Sequence, residues 1–190
     1  MAPAGGIEVM LLLIGVSGVI FALVALVLRD KVGTVSAWAI AGFWWSLVVI
    51  AVVTLVPTEA DVGIVSAEGR MTSCSTDIGG PAPDGFWILP GSQRLLNIAV
   101  FVPAGALWVL AVARWRTRWV LGPLGIAALG LYSILIEVLQ LAASRIGRAC
   151  DVTDMVDNVA GAVLGGLLGI LLALVLQPWQ YRRPAGPTRR

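Results

Sequence analysis

Acidic and amide side chains stand where the sequence is otherwise strongly apolar. Glu137 and Gln140 lie three residues apart near the end of one apolar stretch, so on a helix they share a face. The next stretch opens with four more such groups: Asp151, Asp154, Asp157 and Asn158. Polar groups inside apolar helices are costly, so each one is a candidate functional residue.

An amide and several arginines belong to the same pattern. Asn97 follows Arg94 near the start of a third apolar stretch, and Arg145 and Arg148 separate the two acidic groups. We expect these side chains to form one shared polar site. The alternative is a solvated helix end in which Asp151 is the N-cap, but capping explains only one or two acidic residues.

The residue types limit the chemistry of this site. The chain contains no histidine, which excludes a Ser-His-Asp relay and the commonest zinc ligand. Arginines suit a phosphate or carboxylate headgroup, and this favours a binding role. The carboxylates could instead hold Mg²⁺ in an enzyme acting on a lipid headgroup, or Glu137 could serve a lipid or proton transporter. The sequence assigns no catalytic residue, cofactor or metal.

The composition is that of a membrane protein. Of 190 residues, 58% are hydrophobic and 13% are charged, and the mean hydropathy is +0.92. A transmembrane helix needs about 20 apolar residues. We therefore predict an all-α, polytopic bundle of about five transmembrane helices, near residues 7–28, 32–56, 95–113, 119–142 and 152–176. The net charge of +2 is small and scattered, which argues against a nucleic-acid partner.

The basic residues predict the orientation in the membrane. One side receives nine of the 13 Lys and Arg residues and the other receives four, so the positive-inside rule places the N-terminus outside and the C-terminus in the cytoplasm. Glu137 then lies about 27 Å along its helix from Trp119, near the outer boundary. We expect a recessed carboxylate that is accessible from outside.

Two cysteines and a row of glycines make further predictions. Cys74 and Cys150 both fall on the outer, oxidising side, so we expect either a disulfide or two unpaired thiols, with the disulfide favoured. Glycines at four-residue spacing in the last stretch allow another helix, of this chain or of a partner, to approach closely: Gly161, Gly165 and Gly169.

The arrangement resembles the VanZ-like family of bacterial membrane proteins over residues 40–176. Three motifs carry the resemblance, in order: Asn97, Phe101, Pro103 and Gly105; then Glu137 and Gln140; then Gly147, Arg148, Asp151, Asp154, Asn158 and Gly161. Asp157 and the loop with Cys74 depart from the pattern. The resemblance implies a cell-envelope protein with a link to resistance against the glycopeptide teicoplanin, and it implies no particular reaction.

These observations give a division of the chain and a functional hypothesis. Residues 1–31 form an N-terminal transmembrane helix, 32–177 a VanZ-like domain with an outer loop at 57–93, and 178–190 a basic, disordered cytoplasmic tail. We expect an outward-facing site that binds a membrane lipid or lipid-linked envelope molecule in the cell membrane. Its candidate ligand-binding residues are Asn97, Glu137, Gln140, Arg148, Asp151, Asp154 and Asn158.

Overall fold

The architecture comes from a computed structural model, which describes residues 6–58, 66, 69, 72–76, 92–143 and 149–180. These residues form an all-helical bundle without a strand, as predicted. The five helices are α1 (Ile7–Val32), α2 (Thr34–Leu55), α3 (Ser92–Val112), α4 (Arg118–Ala142) and α5 (Val152–Leu176). Each is long and apolar enough to span a membrane, which confirms the predicted class.

A glycine sets the boundary between the first two helices. The sequence predicts that α1 ends near residue 28, before its charged residues, but the helix continues to Val32. Gly33, with φ of 81°, separates α1 from α2 and adopts a backbone conformation that favours glycine. The break therefore follows backbone geometry rather than the change from apolar to charged residues.

Helices α3 and α5 pack closely at the centre of the bundle. The glycine row of α5 lies against α3 of the same chain: Gly161, Gly165 and Gly169. A Cβ at Gly165 would lie 2.1 Å from the carbonyl oxygen of Val102, and a Cβ at Gly105 would lie 2.1 Å from that of Ala162. Such backbone-to-backbone contact is possible only because these positions carry no side chain.

The other helices surround this pair. A buried apolar core joins four helices, with members Phe43, Ile50, Phe101, Ala104, Leu129, Ile136 and Ala162. Tyr132 on α4 donates a hydrogen bond to the carbonyl of Leu47 on α2 at 2.7 Å. Helix α1 packs beside α2 and buries only Ala25, so most of its surface is left to face lipid.

The chain beyond α5 differs from the prediction at its start. Gln177 ends the helix with φ of 45°, and Pro178–Gln180 forms one 3₁₀ turn instead of a disordered tail. Trp179 in this turn lies against the guanidinium of Arg118 at the start of α4. The predicted tail beyond residue 180 lies outside the described residues.

Candidate functional site

The acidic and amide side chains predicted for the site lie at one end of the bundle. Helices that follow one another along the chain run antiparallel. The starts of α3 and α5 therefore meet the ends of α2 and α4 there. Hydrogen bonds link α3 to α5, α5 to α4, and α4 to α2. We call this group of side chains the polar end. Its predicted members are Asn97, Glu137, Gln140, Asp151, Asp154 and Asn158.

Two side-chain pairs join α3 to α5. The amide nitrogen of Asn97 donates to a carboxylate oxygen of Asp154 at 2.6 Å. One turn away, Nε and Nη2 of Arg94 lie 2.8 and 2.9 Å from the two carboxylate oxygens of Asp157. The second pair has the two-point geometry that makes Arg–carboxylate pairs both strong and directional.

The sequence placed all four residues in one polar cluster, but it paired none of them. Asp157 was a candidate polar residue without a family-wide role, and Arg94 was a candidate contact for a headgroup. Helices α3 and α5 start at the same end of the bundle, and the two pairs are crossed: Arg94 precedes Asn97 on α3, whereas its partner Asp157 follows Asp154 on α5. The equal spacing of three residues on both helices would match the opposite partners, so it gave no signal for this pairing.

Glu137 is a buried carboxylate. It was predicted to be accessible from outside, but it is 2% exposed. Its Oε2 accepts a hydrogen bond at 3.0 Å from the backbone N–H of Asp151, just before α5 begins. Depth along the helix was therefore a poor guide to exposure, because the chain entering α5 covers this side chain.

Asp151 also acts as the N-cap of α5. Its Oδ1 accepts a hydrogen bond at 2.8 Å from the backbone N–H of Thr153, in the usual capping arrangement. The capping alternative thus describes Asp151, while Asp154, Asp157 and Asn158 make contacts with other helices. Asp151 and Asp154 are close enough to Glu137 for their negative charges to repel it.

The amide of Asn158 faces α4. Its Nδ2 donates to the hydroxyl oxygen of Ser133 at 2.9 Å, and both residues are buried. Ser133 was not among the sequence candidates. Its position four residues before Glu137 places both on one face of α4, which was the available signal.

Gln140 contacts α2, whereas Glu137 contacts the chain before α5. Its Nε2 donates to the backbone carbonyl of Thr54 at 3.1 Å, which ties the end of α4 to the end of α2. Its Oε1 is buried and has no hydrogen-bond partner within the described part of the chain. A buried polar atom without a partner is unusual and marks a place where an external donor would be favoured.

A disulfide fixes part of the loop between α2 and α3 over the start of α5. The sulfurs of Cys74 and Cys150 are bonded, with the Cα atoms 4.6 Å apart. Beside them, Ser75 N–H donates to the carbonyl of Cys150 at 2.9 Å, and Val152 N–H donates to the carbonyl of Ser75 at 3.0 Å. The loop segment is thus held by one covalent bond and two backbone hydrogen bonds.

The described carboxylates do not form an evident metal site. No group of three acidic or cysteine side chains in the described ranges is placed to hold a metal ion. Asp157, Asp154 and Asp151 instead have separate partners in Arg94, Asn97 and the α5 backbone. The candidates Arg145 and Arg148 lie outside the described residues, so the structure gives them no position.

Comparison with known protein families identifies the family of this chain. The family model described as VanZ/LLP1 matches residues 18–176, which is most of the chain. The chain belongs to the VanZ/LLP1 family. The match begins inside α1, earlier than residue 40, where the motif resemblance begins. Comparisons with curated proteins and with solved structures give no match.

The residues that carry the resemblance to the family have two structural roles. Phe101 is fully buried in the core, and Gly105 allows the close approach of α5. The polar motif residues Asn97, Asp154 and Asn158 connect helices at one end. Packing residues thus bring α3, α4 and α5 together, and this contact pre-positions the polar end.

Proposed function

We propose that this VanZ/LLP1 protein binds the phosphate-bearing headgroup of an amphiphilic or lipid-linked envelope molecule at the polar end. One observation carries the proposal. The Arg94 side chain is 51% exposed, yet its orientation is fixed by Asp157, whose side chain is only 3% exposed. A cation that is both accessible and held in place suits an anionic headgroup.

The chemistry of the guanidinium supports a phosphate ligand. Arginine has five N–H donors in one plane, and Asp157 engages Nε and Nη2 of Arg94. Donors on the exposed side of the same group suit phosphate oxygens. Because the ion pair orients Arg94 before binding, less conformational entropy is lost when the ligand arrives.

The proposal includes an orientation in which the polar end faces outside. The positive-inside count supports it, because the opposite end carries most of the basic residues. The disulfide at the polar end also supports it, since disulfides persist in oxidising compartments. The family resemblance adds a bacterial cell-envelope setting and a link to glycopeptide resistance. We propose binding alone because no arrangement among the described residues favours an enzyme or a transporter.

A polyprenyl phosphate tests the proposal, with the uncharged polyprenol as its matched partner. Binding to the detergent-purified full chain is measured by native mass spectrometry. The wild type is expected to bind the phosphate form about tenfold more tightly, which corresponds to about 1.4 kcal/mol. The double variant Arg94→Gln/Asp157→Asn removes both charges together, so no buried carboxylate is left unpaired, and it is expected to lose the preference.

Two controls make the outcome specific. Arg29→Gln/Asp30→Asn removes both charges of another ion pair, at the opposite end of the bundle, so it should retain the preference. Arg116→Gln removes an exposed cation at the opposite end and should also retain the preference. An unchanged preference in the Arg94→Gln/Asp157→Asn variant, with its fold intact by circular dichroism, would contradict the proposal.

A further inference from the structure

A large apolar groove lies at the end of the bundle opposite the polar end. It runs between α4 and α5, with α3 as its floor, and its volume is about 820 Å³. This is within the range of ligand-binding pockets, which is about 300–1,000 Å³. Its walls include Ile126 on α4 and Ile170 on α5, and Val109 of α3 lies at the bottom.

Small residues create the space. Gly122 on α4 lines the groove, and a Cβ built there would have no atom within 4 Å. Farther along, a Cβ on Gly130 would lie 3.4 Å from Val159 on α5, so the two helices are in contact there. The groove therefore narrows toward Gly130 and widens toward the start of α4.

The length of the groove matches one leaflet of a membrane. Arg118 at its mouth and Gly130 at its narrow end are twelve residues apart on α4, a distance of about 18 Å along a helix. Half of the hydrocarbon core is about 15 Å thick. One acyl chain of a phospholipid can therefore lie along the groove while its headgroup remains at the interface.

The mouth of the groove carries a positive charge held by aromatic rings. The guanidinium carbon of Arg118 lies 5.3 Å from the ring centre of Trp119 and 5.2 Å from that of Trp179. Its Nη1 also donates to the carbonyl of Ala113 at 3.2 Å. These contacts fix the cation at the point where an acyl chain would leave the groove.

The charge of Arg118 is not balanced by a carboxylate within the described ranges, in contrast to that of Arg94. Arginine has five N–H donors, and the Ala113 carbonyl accepts from only one nitrogen of Arg118. A fixed cation beside an apolar groove is complementary to a lipid with an apolar chain and a negative headgroup. The positive-inside count places this end on the cytoplasmic side, where the leaflet carries anionic lipids.

We infer that this groove is a binding site for an anionic phospholipid, with one acyl chain between α4 and α5 and the phosphate on Arg118. The site is separate from the polar end and does not depend on the function proposed above. It uses residues that the family motifs do not include.

The predicted preference for an anionic headgroup is tested with phosphatidylglycerol and phosphatidylcholine of identical acyl chains. Each is titrated into the delipidated full chain in detergent and counted by native mass spectrometry. The wild type should prefer phosphatidylglycerol by about tenfold, and Arg118→Gln should abolish this preference. Arg116→Gln is the matched control, because Arg116 is an exposed residue of the same basic segment that does not line the groove.

The position of the acyl chain is tested by a substitution that fills the groove. Gly122→Leu places a side chain in the open space of the groove and should lower the affinity for both phospholipids at least fivefold. Gly15→Leu is its control, since a Cβ at Gly15 on exposed α1 also meets nothing within 4 Å. Circular dichroism and gel filtration establish that each variant is folded.

The outcomes distinguish a specific lipid-binding site from non-specific attraction of anionic lipids to positive charge. Loss of preference in Arg118→Gln alone, together with weaker binding in Gly122→Leu alone, supports the site. Equal effects of Arg118→Gln and Arg116→Gln would mean that diffuse positive charge is responsible, and this would overturn the inference. Unchanged lipid binding by folded Gly122→Leu would overturn the position of the acyl chain.

Discussion

Arg94 and Asp157 form a two-point ion pair between α3 and α5, with nitrogen–oxygen distances of 2.8 and 2.9 Å. The two partners differ greatly in burial, because the Arg94 side chain is 51% exposed and that of Asp157 is 3% exposed. A charge left unpaired in a buried place costs more than one left at the surface. The fold therefore depends more on the presence of Arg94 than on that of Asp157.

This asymmetry predicts an order of stabilities. Arg94→Gln leaves a buried carboxylate without its cation, so it should lower the unfolding midpoint more than Asp157→Asn does. The double variant Arg94→Gln/Asp157→Asn should be more stable than Arg94→Gln alone, because no unpaired buried charge remains. Equilibrium unfolding in mixed micelles measures the order. Equal losses in the two single variants would show that burial of Asp157 is not the deciding factor.

The close contact of α3 and α5 predicts which glycines tolerate a methyl group. At Gly165 the new Cβ would lie 2.1 Å from a backbone oxygen, so Gly165→Ala should cost about 1–3 kcal/mol or more in unfolding free energy. Gly122→Ala is the matched control, because its Cβ meets open space. It should be neutral or stabilising by up to about 1 kcal/mol, since alanine favours helix. Similar effects at the two positions would contradict the observed packing.

The helices were predictable from sequence, whereas several of their ends were not. Long apolar runs indicate membrane helices because the bilayer core requires a minimum length, and all five were found in order. The end of α1 was missed because Arg29, Asp30 and Lys31 suggest a stop, while the helix continues until Gly33 changes the backbone direction. The change from apolar to charged residues therefore did not mark the end of this helix.

The polar end was predictable as a set of residues but only partly as a set of contacts. The sequence assigned Asn97 and Asp154 to one polar site, and the two side chains are hydrogen-bonded. Residue spacing could not predict that the chain before α5 covers Glu137. It also could not predict that Gln140 is hydrogen-bonded to Thr54 on α2. These features depend on how helices rotate against one another, which a single sequence does not specify.

The hydrogen bond between Asn97 and Asp154 predicts that exchanging the two residues restores the stability lost in a single variant. Asn97→Asp would place two carboxylates at the present hydrogen-bond distance of 2.6 Å, so it should destabilise the protein by about 1–3 kcal/mol. The exchange Asn97→Asp/Asp154→Asn restores one amide and one carboxylate and should recover most of this loss. A double-mutant cycle of unfolding free energies gives the coupling. Additive effects would mean that the two side chains do not interact.

The disulfide predicts a dependence of stability on reducing agent. It closes a long segment, with 76 residues separating Cys74 and Cys150 in sequence, so reduction should lower the unfolding free energy by about 2–4 kcal/mol. The variant Cys74→Ser/Cys150→Ser should have the lower stability with or without reductant. Unfolding curves of both proteins with and without dithiothreitol provide the measurement. A wild type that is insensitive to reduction would show that the backbone hydrogen bonds of Ser75 hold the loop without the disulfide.

The proposed orientation predicts which side of the membrane reaches each end of the bundle. In Cys150→Ser, the remaining partly exposed Cys74 should react with a membrane-impermeant maleimide added to intact cells, because the polar end faces outside. A cysteine at the opposite end is the matched control: Thr117→Cys in a Cys74→Ser/Cys150→Ser background, at an exposed position before α4. It should react only after the cells are permeabilised. The reverse pattern would place the polar end in the cytoplasm, where an envelope headgroup could not reach Arg94.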